Sequence, residues 1–329
     1  MQRSLLRLSF DEEPLPETSI DSLDLEKVSD AFRSRSDKLN QNQLLSLGVL
    51  TRLANCSVCS VGGVILFGKT DVRQRFFPDA RVSCARFMGS DKAEFIDRLE
   101  VDGTILDALD AVPKFILRNT RLSSEIHGIY RRDVTEYPGV AIREALINAI
   151  AHCDYSLTGS RIQIAIFNDR LEIQNPGMLP FGFTLEDLKA GTSRIRNRVI
   201  ARVFHELNIM ETWGSGYNRI MQACHAEGYP EPQWQELGSA LRVTFHPHPL
   251  SVIGNDRPLA SSAEPLSLKE QAIFDALSPG ESLAVSQIAS RLAFTMPERS
   301  LRASLARLKQ LGLLLCIGRG RATVWHRPK

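Results

Sequence analysis

Between Val140 and Ser156 the chain reads VAIREALINAIAHCDYS, an apolar run broken at every fourth position by Glu144, Asn148 and His152. Four-residue steps at 3.6 residues per turn keep these three side chains within an arc of about 80°. Ile142, Leu146, Ala149 and Ile150 occupy the opposite side, so the pattern predicts a helix opening at Pro138 with a polar stripe. Strict alternation in RIQIAIFN and RLEIQN predicts two strands joined by a turn at Asn168-Asp169. ALRVTFH, ARVSCARFMG and AEFIDRLEV read as further strands, and SEIHGIYRR holds another. Helical periods occur in Asp24–Leu53, TILDALDAVPKFILRN (with a kink or break expected at Pro113), Arg196–Leu207 and Tyr217–Glu227. The first 22 residues are acidic, contain proline, and read as extended.

One short stretch fits a phosphate-binding pattern. Gly63–Thr70, GVILFGKT, matches G-x-x-x-x-G-K-[ST]. Its middle is Val64-Ile65-Leu66-Phe67, bulky residues of high strand propensity, and no helical stripe follows Lys69. The expectation is a buried strand ending in a turn, without a nucleotide.

At 329 residues the chain accommodates two or three modest domains, and 43% hydrophobic with 24% charged residues is ordinary for a soluble globular protein. No apolar run reaches membrane-spanning length. Six scattered cysteines suit a reducing cytoplasm, and the lone C-x-x-C, NCSVCS, lacks a second pair for zinc. The net charge of +2 conceals an asymmetry: residues 266–329 carry ten basic and four acidic side chains, +6, leaving −4 elsewhere. A basic end points to a polyanion. PHPLSVIGNDRPLASSAEP precedes it without a clear period and reads as a linker over 249–265.

The stripe on Pro138–Cys153 has two readings: a solvated face, or a site with alanines (Ala141, Ala145, Ala151) making room beside it. Asn148 suits a hard cation such as Mg²⁺, and Glu144 suits activation of a water. Two glycine turns follow. One is in IQNPGMLP, and the other, in ETWGSGYNRI, stands before a helix whose free N–H groups and dipole favour an anion.

Together, REALINAIAHCDYS, LEIQNPGMLP, TSRIRN and IMETWGSGYNRI resemble the GHKL ATP-binding fold of histidine kinases, gyrase and heat-shock chaperones. More closely they resemble a bacterial family of predicted transcriptional regulators, with a Schlafen-type AlbA-like domain, this ATPase-like module and often a C-terminal winged helix. The likeness covers roughly Leu23–His246, and the AlbA-like domain is expected to be absent or truncated. It implies an α/β fold with three parts: an α/β segment (23–130), a GHKL-like sandwich (131–248) and a winged helix-turn-helix (266–329). By position, Asn148 would hold Mg²⁺ against the phosphates of ATP and Glu144 would be the general base. His152 and Asp154 stand in the family's H-R-D-Y segment, here with Cys153. Asn175 replaces the aspartate that accepts the adenine amino hydrogen. Gly177 would open the base pocket, Gly214 and Gly216 the phosphate loop, and Thr192, Ser193, Arg194 and Asn197 the lid, with Arg194 reaching phosphate. No paired helicase motifs accompany these residues.

The basic end reads as three helices and a strand pair, resembling a winged helix-turn-helix along its length. Arg299, Arg302 and Arg307 on the third helix, and Arg319 and Arg321 at the turn, would meet double-stranded DNA; Thr295 and Glu298 would form a capping box. A dimerisation module has the same element order. The chain is therefore expected to be a cytoplasmic, ATP-binding, DNA-binding regulator working as a homo-oligomer, a dimer. The alternatives are a slow GHKL-type ATPase and a scaffold that binds no nucleotide.

Overall fold

The computed structural model describes residues 8–33, 39–101, 103–127, 130–210, 216–253, 268–278, 280–292, 294, 296–310, 314–317 and 324–327. The chain forms two compact units, Met1–Pro258 and Leu259–Lys329, a division that falls inside the 249–265 stretch.

In the first unit, β1 (Pro14–Leu15) lies between 3-10 turns at Phe10–Glu12 and Ile20–Ser22. Next come α1 (Leu25–Ala31), α2 (Gln41–Leu47), β2 (Leu50–Leu53), β3 (Cys56–Ser60), α3 (Val61–Phe67) and α4 (Thr70–Phe76). They lead into β4 (Val82–Phe87), β5 (Phe95–Val101), α5 (Ile105–Asn119), the hairpin β6 (Leu122–His127) and β7 (Tyr130–Thr135), and α6 (Gly139–His152). The remainder is β8 (Ile162–Ile166), β9 (Leu171–Pro176), α7 (Leu185–Lys189), α8 (Arg198–Glu206), α9 (Gly216–Glu227), β10 (Gln233–Leu237), β11 (Ala240–Phe245) and α10 (Pro249–Ile253). A six-stranded sheet runs in the order β10-β11-β9-β8-β4-β5, parallel at β4–β8 and antiparallel at its other pairings. One hydrophobic core joins α3, α5, α6 and α8 to the inner face of this sheet, so residues 23–130 and 131–248 share an interior.

Several expectations change. GVILF is helical: Val61–Phe67 form α3, with Ser60 Oγ accepting the Gly63 N–H at 2.9 Å. Every residue of α3 is buried. An apolar run enclosed on all sides carries no period, so strand propensity decided nothing, and packing did. Pro113 lies inside a continuous α5 rather than ending it. The first residues are folded against the body: β1 pairs with β3, and Asp11 is fully buried. Its carboxylate accepts the N–H groups of Arg198 (2.9 Å), Val199 (2.7 Å) and Ile200 (3.0 Å), satisfying the free donors at the start of α8. The residues at the start of the 249–265 stretch form α10, and the residue before it is held in place. His248 is buried, donates its backbone N–H to Glu136 O at 2.8 Å, and accepts the Leu250 N–H at Nδ1 (3.1 Å).

The second unit contains α11 (Leu268–Asp275), β12 (Ser282–Ala284), α12 (Val285–Arg291), α13 (Glu298–Gln310), β13 (Leu315–Ile317) and β14 (Val324–His326). Its antiparallel sheet has the order β12-β14-β13. Leu301, Leu305 and Leu308 of α13 are buried with Ile273, Leu277, Ile288 and Trp325. The strand β12 was not anticipated; three residues are too short to show alternation.

Candidate functional site

Helix α6 opens after Pro138, whose fixed φ suits a helix start. Its Ile142, Leu146, Ile147 and Ile150 enter the core, but so does one end of the polar stripe: Glu144 is only 7% exposed. A solvated face would not bury a carboxylate, so the stripe lines something. It borders an open cleft between α6 and α9 on one side and β9, β11 and β10 on the other. Glu144, Asn148 and His152 form one wall, and Ile173, Asn175, Leu241, Val243 and Trp234 line the sheet side. Gly177, Ser193 and Arg194 border the mouth.

The cavity is polar at one end. Asn148 Nδ2 lies 3.5 Å from Glu144 Oε1, and Arg219 Nε, from α9, lies 3.8 Å from Glu144 Oε2. Gly216, the first residue of α9, presses on both: a Cβ there would stand 2.8 Å from Asn148 Nδ2 and 2.8 Å from Glu144 Oε1. A side chain at the head of this helix would displace the tips of Glu144 and Asn148. The other end is apolar and aromatic, with Tyr217 and Trp234 ring centroids 4.8 Å apart. Asn175 is buried on β9, with Nδ2 3.4 Å from the Pro176 carbonyl, a distance at which little of its hydrogen-bonding capacity is used.

A second polar group fastens the loop after β9. Gly177 adopts φ +104°, and a Cβ would sit 2.8 Å from Asp154 Cβ, so glycine is required by conformation and by space. Asp154 faces away from the main cavity. Its N–H donates to Pro176 O (2.8 Å), and its Oδ2 accepts from Arg196 Nη1 (2.8 Å). Arg196 also donates to Met178 O. Asp154 is thus a brace for the Gly177 turn. Arg194 donates to Phe181 O at 2.6 Å while bordering the cavity. Asn197 is buried and ties the loop to the end of α6 through Ala151 O (3.0 Å) and Cys153 O (2.8 Å). His152 meets the Arg194 backbone; desolvation, then the Arg196 charge, hold its imidazole down to about 4, so it is neutral at pH 7.

Most of the expected residues therefore meet in one place: Glu144, Asn148, His152, Asn175, Gly177, Ser193, Arg194 and Gly216 line the same cavity. Thr192 borders it too, and Gly214 lies outside the described residues. Arg219, Arg196, Tyr217 and Trp234 were missed. Arg219 stands three residues after Gly216, one turn along the helix, a spacing that places it beside the same face. Lys69 of the phosphate-loop pattern is exposed and, against expectation, a helix does start behind it, α4 at Thr70; the Gly68 N–H before it is already taken by Val64 O at 2.8 Å.

In the second unit Arg299 and Arg302 are exposed on α13, with Ala303 and Ala306. Arg307 is half-buried and reaches Glu270 Oε1 at 3.4 Å, which binds it to its own domain. Arg319, Arg321 and Thr295 lie outside the described residues, and of the proposed box Glu298 begins α13. Among the described residues no helix is long and apolar enough to cross a membrane.

Residues 159–245 match the family described as "Putative ATP-dependent DNA helicase recG C-terminal". The match takes in Asn175, Gly177 and Gly216 but begins after the helix of Glu144 and Asn148. The fold is similar to the crystal structure of the DIP2311 protein from Corynebacterium diphtheriae, with a TM-score of 0.60 and 21% identity. That alignment covers 99% of this chain and 65% of the DIP2311 chain, so the present chain spans about two thirds of its length. The search of curated proteins found no match. The family match supports an ATPase-like domain in the first unit.

Proposed function

We propose that the first unit binds ATP with Mg²⁺ in the α6–α9 cavity and acts as a nucleotide-responsive regulator whose basic second unit, a winged helix-turn-helix by element order, engages double-stranded DNA. The observation that carries the nucleotide reading is the contact of the Gly216 backbone with Glu144 and Asn148. It brings the head of a twelve-residue helix, a buried carboxylate and an amide to one end of a concave, largely apolar pocket. The donor set fits the group. Mg²⁺ keeps most of its waters and asks the protein for one or two oxygens, and Asn148 Oδ1 would supply one. When bound, the ion would neutralise phosphate charge. Ile173, Val243, Leu241 and Trp234 offer an apolar floor for a base, and Asn175 a neutral amide that can accept from an amino group or donate to a carbonyl.

Glu144 is placed to take a proton from a water, with Arg219 Nε 3.8 Å from its Oε2. Turnover is the second reading, and it rests on Glu144 alone. The DNA reading rests on Arg299 and Arg302 standing exposed among small alanines, which allow close approach to a groove.

Calorimetric titration of the full chain with ATP, with and without Mg²⁺, tests the site. Asn148→Ala is expected to abolish Mg²⁺-dependent binding, and Lys69→Ala to leave it intact. The opposite pattern would return the nucleotide to GVILFGKT.

A further inference from the structure

The six-stranded sheet ends at β5, and nothing described lies beyond it in the sheet. A bulge opposite Arg86-Phe87 interrupts the strand near Ile96, which leaves Asp97–Val101 as a regular edge of five residues, a template for another strand unless it is blunted. Here it is flanked by apolar surface: Phe95 is 57% exposed, Ile96 55%, and Met88, in the turn before it, 53%. The Arg98 N–H bonds to the side chain of its neighbour, Asp97 Oδ1 at 2.9 Å, rather than to β4, so this residue turns its backbone outward.

We infer that β5 pairs with β5 of a second copy of this chain, antiparallel about a twofold axis at Leu99. Charge selects both the partner and the register. A twofold axis normal to the sheet keeps each face on its own side, so residue i can oppose only residues of its own alternation. The bulge ends the regular edge before Asp97 and so removes a pair centred on Ile96, and centring on Asp97, Arg98 or Glu100 would set a like charge against itself. Centring it on Leu99 places Arg98 opposite Glu100 of the second copy, twice, on the solvent face, where opposite charges directly across stabilise the pair. Arg98 and Glu100 are both exposed, while Leu99 is half-buried against the core. The Arg98 N–H exchanges its Asp97 cap for a carbonyl of the partner strand, and the two sheets become one.

The other edge offers no such match. β10 carries Gln233, Gln235 and Glu236, with Trp234 turned into the cavity. A β5-to-β10 contact would be head-to-tail and would build polymers instead of a closed dimer. The inference does not depend on the nucleotide reading, since β5 lies at the far end of the sheet from β9, β11 and β10, which line the cavity.

Sedimentation equilibrium on the full chain, without nucleotide, tests it. The wild type is expected to dimerise. Arg98→Glu or Glu100→Arg alone should raise the dimer dissociation constant at least tenfold, and the double exchange should restore it. Circular dichroism at matched concentration checks the fold of each variant. Independently, Leu99→Cys in a Cys56→Ser background should give an interchain disulfide on mild oxidation. A wild type that stays monomeric, a dimer indifferent to Arg98→Glu, a double exchange that fails to restore it, a concentration-dependent polymer, or no Leu99→Cys cross-link would each overturn the pairing.

Discussion

Two glycine-bearing helices in the first unit invite comparison, α3 and α9. From Gly63 on, α3 lies within a complete phosphate-loop pattern; α9 begins at a glycine that matches no short consensus by itself. In α3 the glycine is a packing residue: a Cβ at Gly63 would stand 2.1 Å from the Val49 carbonyl oxygen. In α9 the glycine is a spacing residue, holding the backbone against the polar ends of Glu144 and Asn148 beside a cavity. A motif is a list of residue types at set intervals. The anion site it stands for is a set of outward N–H groups, and burial decides whether those exist.

The comparison breaks first at the glycines themselves. Gly63→Ala drives a methyl group into rigid backbone and should destabilise the chain by about 3 kcal/mol or more, read as a shift of the urea midpoint. Gly216→Ala meets only the tips of two side chains, and alanine favours helix by up to about 1 kcal/mol, so stability should hold or rise. Its ATP affinity should fall tenfold or more. If Gly63→Ala is harmless or Gly216→Ala binds normally, the two glycines have not been told apart correctly.

Next in size is Glu144→Gln, which keeps shape and hydrogen bonds but cannot take a proton. ATP affinity should survive, while any hydrolysis drops about 10²-fold or more, measured as phosphate release. Equal rates would leave Glu144 a binding residue only.

The smallest effect lies at the end of α6. His152 is held down to about 4, below the ~6.5 of an unfolded chain, so between these values the unfolded state carries the extra proton. Its contribution is complete above pH ~6.5 and is lost as the pH falls towards 4. Urea midpoints at pH 7 and 5 should therefore differ less in His152→Gln than in the wild type. An unchanged difference would place the imidazole in water.

How much of this could be read from the chain follows the same contrast. β8, β9 and β11 were legible because each alternates, and α6 because its polar stripe kept a four-residue step. α3 was not, since complete burial erases the period on which helix and strand differ. Proximity in sequence made the Gly177 turn visible, but not the Arg196–Asp154 brace behind it, which spans 42 residues. A helical projection of α13 could not show the Arg307–Glu270 pair, because Glu270 comes from another helix. β10 escaped notice because the apolar residues of QWQEL, Trp234 and Leu237, stand three apart and show no alternation.

The Asp11 carboxylate has a consequence in time as well as in space. It accepts N–H groups 187 to 189 residues further along the chain, so the start of α8 cannot be satisfied until nearly the whole first unit has been synthesised and has come back to its beginning. Contacts of such sequence separation carry a large closure entropy and slow the search for the native state. The first unit should accordingly fold late and as a whole, its earliest residues among the last to find their place.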